Sequence, residues 1–227
     1  MKHLKGLTFS YDDGITQDIR LIELLNKYGM KGTFNINSGR LGASGRLERE
    51  GSRVDFNRIK AEDLRYVYEG HEVAGHGITH PKLPELDDEQ VVREVENDRI
   101  ALSELCGYEV VGLAYPFGTH DGRVEKLIKE QTGIKYCRTV TSTHGFEQPT
   151  DLYALNPSVH APREWDTLFA LGEQFLSLPA ETPALFYIWG HTFEFDIHNT
   201  WDRFEEFLKM MSAGKDITYA TNRELLL

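Results

Sequence analysis

Short apolar runs and amphipathic stretches alternate along the chain. Leu4 to Tyr11 reads LKGLTFSY, which predicts a buried strand. Asp18 to Tyr28 carries Ile19, Ile22 and Leu25 at helical spacing and meets a stop at Gly29, which predicts a helix. Gly32 to Ile36 predicts a second strand, and the Gly-, Ser- and Arg-rich stretch from Gly39 to Arg53 predicts a long loop. A short helix from Ala61 to Glu69 and a short strand from His71 to Gly75 follow. The longest helix is expected from Asp87 to Leu105, capped by Asp87 or Asp88 and ended by Gly107. Its apolar face is Val91, Val92, Val95, Leu102 and Leu105. Further strands are expected at Val110 to Tyr115, Ile134 to Thr139, Ala184 to Gly190 and Ile217 to Thr221. Helices are expected at Asp121 to Gln131, Trp165 to Leu176 and Trp201 to Met211.

Strands that alternate with helices lie parallel and are joined by right-handed crossovers. The pattern, with about seven strands, fits a distorted, TIM-like (β/α) barrel better than a flat doubly wound sheet. A Gly-rich dinucleotide fingerprint does not follow the first strand. Neither a Pro/Ser-rich linker nor an internal repeat divides the 227 residues, so one domain over 1–227 is expected.

Composition narrows the function. With 36 Asp and Glu against 25 Lys and Arg, the formal net charge of −11 is a poor field for nucleic-acid phosphates. The hydrophobic share of 40 % suits a globular core and not a disordered chain. The opening residues, MKHLKG, lack the apolar core of a signal peptide, and the apolar run Ala184 to Trp189 is too short for a bilayer. A cytoplasmic protein without a membrane partner is therefore expected. Cys106 and Cys137 form no CxxC pair and read as ordinary packed thiols. The nine histidines are the residues to place.

A barrel enzyme gathers its chemistry at the C-terminal ends of its strands. Asp12, Asp13 and Gly14 follow the first predicted strand, and His76 and His80 follow the strand ending at Gly75. Pro116, Phe117 and Gly118 follow Tyr115, while Arg138, Ser142 and His144 lie within and after the next strand. His191 follows Gly190. The spacing of His76 and His80 in HGITHP lets both imidazoles aim at one point from a tight loop. A carboxylate from Asp12 or Asp13 completes two nitrogens and one oxygen, which leaves room for water and substrate on a catalytic zinc. At a strand end before Gly14 both carboxylates can turn inward, one to a metal and one free as a base; a plain acidic turn is the competing reading. The same donor set also suits the iron of a non-haem oxygenase.

In this order the motifs resemble the polysaccharide deacetylases, carbohydrate esterase family 4, with the NodB homology domain. TFSYDDG, Thr8 to Gly14, is similar to the family's TFDDG, with two residues between the Phe and the Asp pair. HGITHP, His76 to Pro81, is similar to H-[ST]-x-x-H-P, and AYPFG, Ala114 to Gly118, to R-x-P-[YF]-G. Tyr187 to His191 stands where the family has a hydrophobic strand ending in L-x-H. The resemblance spans nearly the whole chain and implies a distorted (β/α) barrel. It implies Asp12 as base, Asp13, His76 and His80 as ligands of one divalent metal, zinc before other transition metals, and His191 as general acid. It implies hydrolysis of an acetyl group from an N-acetylated amino sugar or oligosaccharide, with backbone at Tyr115, Pro116 and Phe117 near the oxyanion.

The departures raise questions of their own. Gly77 replaces a hydroxyl residue, and Ala114 replaces an Arg that in many members pairs with the catalytic Asp. Arg138 on the next strand is a candidate replacement, with a surface or structural arginine as the competing reading. The family's fourth motif, with its Asp and Trp, is missing from Cys137 to Phe146; Trp165-Asp166 is the candidate substitute, and what orients His191 stays open. Trp189 reads either as a core aromatic or as a wall for a sugar ring. His144 and His160 are expected near the rim, His198 beside His191, and His3, His71 and His120 in exposed or structural places. Two further functions compete. One is hydrolysis of a small intracellular non-sugar amide, cyclic amides included; the other is a non-catalytic carbohydrate-binding relative. The sequence carries no signature of oligomeric state.

Overall fold

The chain is described by a computed structural model over residues 4–227, so His3 lies outside the described residues. The first half runs β1 (Lys5–Asp12), α1 (Asp18–Lys27), β2 (Gly32–Ile36), β3 (Arg46–Arg49), β4 (Ser52–Asp55), α2 (Leu64–Val67), β5 (Glu72–Gly75) and α3 (Asp88–Cys106). The second half runs β6 (Gly112–Ala114), α4 (Gly122–Gln131), β7 (Tyr136–Arg138), β8 (Val159–His160), α5 (Trp165–Ser177), β9 (Ala184–His191), α6 (Phe193–His198), α7 (Trp201–Met211), β10 (Thr218–Tyr219) and α8 (Asn222–Leu226).

The main sheet is parallel throughout, in the order β7-β6-β5-β2-β1-β9-β8, with β10 beside the first half of β1. It curls into the distorted (β/α) barrel that the alternation predicts. Residues 152–160 bridge its two edges. Cys137 N–H and Thr139 N–H of the β7 edge donate to Leu152 and Leu155 carbonyls at 2.7 and 2.8 Å, and Ser158 N–H donates to Tyr187 of β9 at 2.7 Å.

The alternation of side chains along β1 sorts two interiors. Leu7, Phe9 and Tyr11 join the main apolar core with residues of α1, α5 and α7. Thr8 and Ser10 face the barrel interior, where Thr8 and Tyr187 hydroxyls lie 2.8 and 2.6 Å from Asn222, and Asn35 donates to Ser10 at 2.9 Å. The barrel therefore carries a hydrogen-bonded polar centre that leads up to Asp12.

The stretch expected to be a long loop departs from that expectation. From Arg46 on it joins an antiparallel hairpin over 46–55, β3 with β4, turning at Glu50 (φ 54) and Gly51 (φ 77). Glycine and serine signal turns, but the cross-strand pair of Leu47 and Val54 supplies apolar surface that packs on Ile15, Phe193 and Ile197. The helix expected over Ala61 to Glu69 shortens to the four residues of α2. β8, α6 and α8 lie outside the elements expected from the pattern, each too short to show a period. Among the described residues, no helix is long and apolar enough to cross a membrane. Both cysteines are buried and free.

Candidate active site

The strand ends converge on one rim. Asp12 closes β1 and sits opposite His191, the last residue of β9, and Asn35 of β2. Arg138 closes β7, His160 closes β8 opposite Trp189, and His76 follows β5. The chain leaves β1 through two left-handed residues, Asp13 (φ 89) and Gly14 (φ 61). A continuing strand would have sent Asp13 to the far side of the sheet; this turn leaves both carboxylates lining the same pocket.

Asp12 is buried and heavily partnered. The Arg138 NH2 group stands 2.5 and 2.6 Å from its two oxygens, and Asn35 Nδ2 donates to it at 2.8 Å. Burial opposes the charge, but Arg138, His76 and His191 outweigh it and hold the carboxyl below the usual carboxylate range. Arg138 is itself 1 % exposed and lies over the Trp189 ring at 4.8 Å. Trp189 is also stacked on His160 at 4.1 Å and, though buried, lines the pocket.

Asp13, His76 and His80 bring one ligand atom each to within 4.8 Å of one another. The His76 Nδ1–H donates to the Ala114 carbonyl at 2.8 Å, which leaves the Nε2 lone pair to face the site. That atom lies 3.1 Å from Nε2 of His80. Metal–nitrogen bonds of about 2.0 Å at tetrahedral angles separate two ligands by about 3.3 Å, so the pair fits a single ion. Burial keeps both imidazoles in the neutral, ligating form, with His80 lowered to about 4 by burial and by His76. Two nitrogens and a carboxylate suit zinc and its neighbours in the transition series. The loop is fixed from below by buried Asp98 of α3, which accepts the Ser38 and His76 N–H groups at 2.8 and 2.9 Å. Asp13 is held by buried Arg58, whose NH1 is 3.1 Å from Oδ1 and also donates to the Asp13 carbonyl.

Across the pocket, His191 Nδ1 lies 3.4 Å from Glu194 Oε2. Glu194 is 1 % exposed and accepts from His160 Nε2 at 2.8 Å and Arg163 Nε at 2.7 Å. Burial raises its carboxyl, but these partners outweigh burial and hold it far below the usual range. For His191, burial opposes the proton, while Glu194, Asp12 and Asp13 favour it, with a net upward shift. His160, His191 and Glu194 also lie close enough to share an ion, but the guanidinium on Glu194 makes this a hydrogen-bonded network.

The pocket has a volume of about 440 Å³ and is walled by apolar groups that include Leu47, Phe56, Phe117, Val140 and Phe193. Tyr115 and Phe117 line it, whereas Pro116 is buried behind them. Phe117 adopts φ 59 and sets its ring 4.3 Å from His80. Gly77, at φ 72, occupies a backbone conformation that penalises the hydroxyl residue expected there.

Several expected neighbours stand elsewhere. Asp166 pairs with Arg203 at 3.0 Å on the surface, and Trp165 packs on Phe169, Phe195 and Phe204, so neither orients His191. His144 and Ser142 both bind Glu164, at 2.6 and 2.9 Å, and neither lines the pocket. His198 faces Glu50 at 3.6 Å rather than His191. His160 does line the pocket. His71 bonds Gly32 and Asn26, and His120 pairs with Glu125, both structural contacts. Sequence reasoning missed Arg58, Arg163 and Glu194. Only Glu194 carried a signal, its place three residues after His191.

A parallel barrel with carboxylates and histidines gathered at its strand C-termini defines the class. The polysaccharide deacetylase family model matches residues 2–137, and the chain belongs to that family. A comparison with curated proteins gives no match. Among solved structures, the chain is similar to the family 4 acetyl xylan esterase from Clostridium thermocellum in complex with a cobalt ion. That likeness has 15 % identity and a TM-score of 0.61, over 97 % of this chain and 90 % of that one. It is also similar to the family 4 carbohydrate esterase from Streptomyces lividans in complex with acetate (17 %, TM-score 0.58, 95 % and 90 %). A third likeness is to the Streptococcus pyogenes deacetylase PplD in complex with acetate (19 %, TM-score 0.53, 65 % of this chain). The match spans only 61 % of the PplD chain. Likenesses at such identities speak for the fold.

Proposed function

We propose that residues 1–227 form a divalent-metal-dependent N-deacetylase, with zinc as the first candidate, acting on an N-acetylated amino sugar or oligosaccharide. One observation carries this reading. A single pocket holds a carboxylate tied to a guanidinium, a separate group of two histidines and a carboxylate, and a histidine backed by a buried glutamate. Amide hydrolysis needs a base, a Lewis-acid site and an acid together.

Held by Asp13, His76 and His80, zinc would lower the pKa of a water to about 7 and polarise the acyl oxygen. Asp12, kept ionised by Arg138, takes the proton of the attacking water, a contribution of about 10²–10⁴-fold. Arg138 holds Asp12 in place and compensates its charge. His191, whose proton is retained by Glu194 and the aspartates, delivers it to the departing nitrogen. Acetate and a free amine result. The turn at Tyr115–Gly118 sets the Phe117 ring beside His80, and a peptide N–H of this turn would support charge on the acyl oxygen.

The test is acetate release across N-acetyl sugars, oligomers and small amides, with zinc added or chelated and Asp12→Asn as control. The expected result is zinc-dependent release, lost with the chelator and reduced at least about 10²-fold in Asp12→Asn. Zinc-independent release, or an unchanged Asp12→Asn variant, would overturn the mechanism. An oxygenase would instead consume O₂ with iron. A small non-sugar amide is the second reading, favoured by the hairpin that walls one side of the pocket with Leu47 and Arg49.

A further inference from the structure

Every carboxylate in the pocket already has its own guanidinium. Arg138 serves Asp12 at 2.5 Å, Arg58 serves Asp13 at 3.1 Å, and Arg163 serves Glu194 at 2.7 Å. Arg49, at the end of β3, also lines the pocket. Its carboxylate neighbours stand at 3.7 Å (Glu50) and 4.0 Å (Glu194), beyond hydrogen-bond distance, and its side chain is 40 % exposed. Glu50 is half-exposed and is shared with Arg163 at 3.9 Å and His198 at 3.6 Å. A pocket-lining guanidinium with no carboxylate at hydrogen-bond distance stands out in a chain of net charge −11. A bound divalent ion would add to the positive field.

We infer that Arg49, with the outer edge of Arg163, recognises a carboxylate on the amine half of a compact N-acyl substrate. This rests on the deacetylase reading and names the substrate class within it. The amine half is assigned because Arg49 lies 4.0 Å from the same Glu194 that backs His191, the proposed proton donor to the leaving nitrogen. Compactness follows from the wall. The β3–β4 hairpin bounds one side of the pocket through Leu47 and Arg49, and Ser52 ties it to α6 by donating to the Ile197 carbonyl at 3.3 Å. A volume of about 440 Å³ holds one sugar-sized amine with its acyl group. A guanidinium matches a carboxylate by two parallel N–H donors, so a carboxamide isostere loses the recognition.

The test uses two matched pairs, each an acid and its carboxamide: 2-acetamido-2-deoxyglucuronic acid with its uronamide, and N-acetyl-β-alanine with its amide. Binding to zinc-loaded protein is measured by titration calorimetry, and acetate release is followed in parallel. The acid of at least one pair is expected to bind about tenfold or more tightly than its amide. Arg49→Gln should shrink that difference to under about twofold by weakening the acid, and Arg49→Lys should restore part of it. Equal binding of acid and amide, a preference that survives Arg49→Gln, or binding of neither member of either pair would overturn the inference. Arg49-dependent binding without acetate release from any substrate would sink the deacetylase reading and leave the anion site standing. Acetate release with no preference for the acids would do the reverse.

Discussion

A buried carboxylate that acts as a base at neutral pH needs a partner that keeps it ionised, and Asp12, the proposed base, has one in Arg138. Arg138→Ala leaves Asp12 buried without its counter-charge. Breaking such a pair costs about 3–5 kcal/mol, and the carboxyl rises toward neutral pH. Turnover should fall about 10²-fold and the acidic limb of the pH–rate profile should move up; unchanged turnover would remove Arg138 from the site. The opposite sign applies across the pocket. Glu194 favours the protonated form of His191, so Glu194→Gln lowers that pKa and moves the alkaline limb to lower pH. Recording kcat/KM from pH 5 to 9 separates this from a merely structural loss, which would scale the curve without moving it. At this scale the legible residues were those in local motifs, Asp12, Asp13, His76, His80 and His191. Arg138 was legible as a charge inside an expected strand. Arg58 was not, because it meets Asp13 across 45 residues from a stretch to which no element was assigned.

The elements that read well were those whose burial is periodic. α3 has its capping box at Asp87 and Gln90 and its left-handed stop at Gly107, all local chemistry. β1 read as a strand, but not which of its faces was polar, because its barrel side is satisfied only by Asn35, Asn222 and Tyr187 from distant elements. Asp18 shows the same dependence. It begins α1, yet its acceptors are filled by Tyr68 at 2.7 Å and Thr192 at 2.6 Å. Burial raises its pKa from 3.8 to about 7 against those two donors. Between these values the folded chain holds a proton that the unfolded chain has lost, so stability falls as pH rises through the window. Asp98, raised from 3.8 to about 6 by burial, adds to the fall in the lower part of it. Urea unfolding at pH 6 and 8 should give a loss of about 1 kcal/mol that Asp18→Asn removes. A slope unchanged in the variant would place the titration elsewhere.

For the whole molecule, the decisive event is closure of the sheet. Residues 152–160 join the β7 edge to β9 and so set Arg138 and His160 on the same rim as Asp12 and His191. A rim assembled from several strand ends would bind the proposed metal only in the folded state, which would link that metal to the fold. Zinc at about 100 times its Kd should stabilise the protein by about 2.7 kcal/mol, read as a melting shift of several degrees that a chelator reverses. His80→Ala should abolish the shift; a shift of equal size in that variant would place the ion at another site.

The chain by itself determined the alternation of strands and helices, hence the parallel barrel, and the order of the short motifs at the strand ends. Both are carried by periodicity and by neighbours a few residues apart. Only the tertiary structure decided which group stands against which: Arg138 on Asp12, Arg58 on Asp13, Glu194 and not Asp166 behind His191, and a hairpin in place of a loop beside the pocket. The physical reason is range. Hydrophobic period and turn chemistry act within one element, whereas buried charges are paired by whichever cation the closed sheet brings within reach.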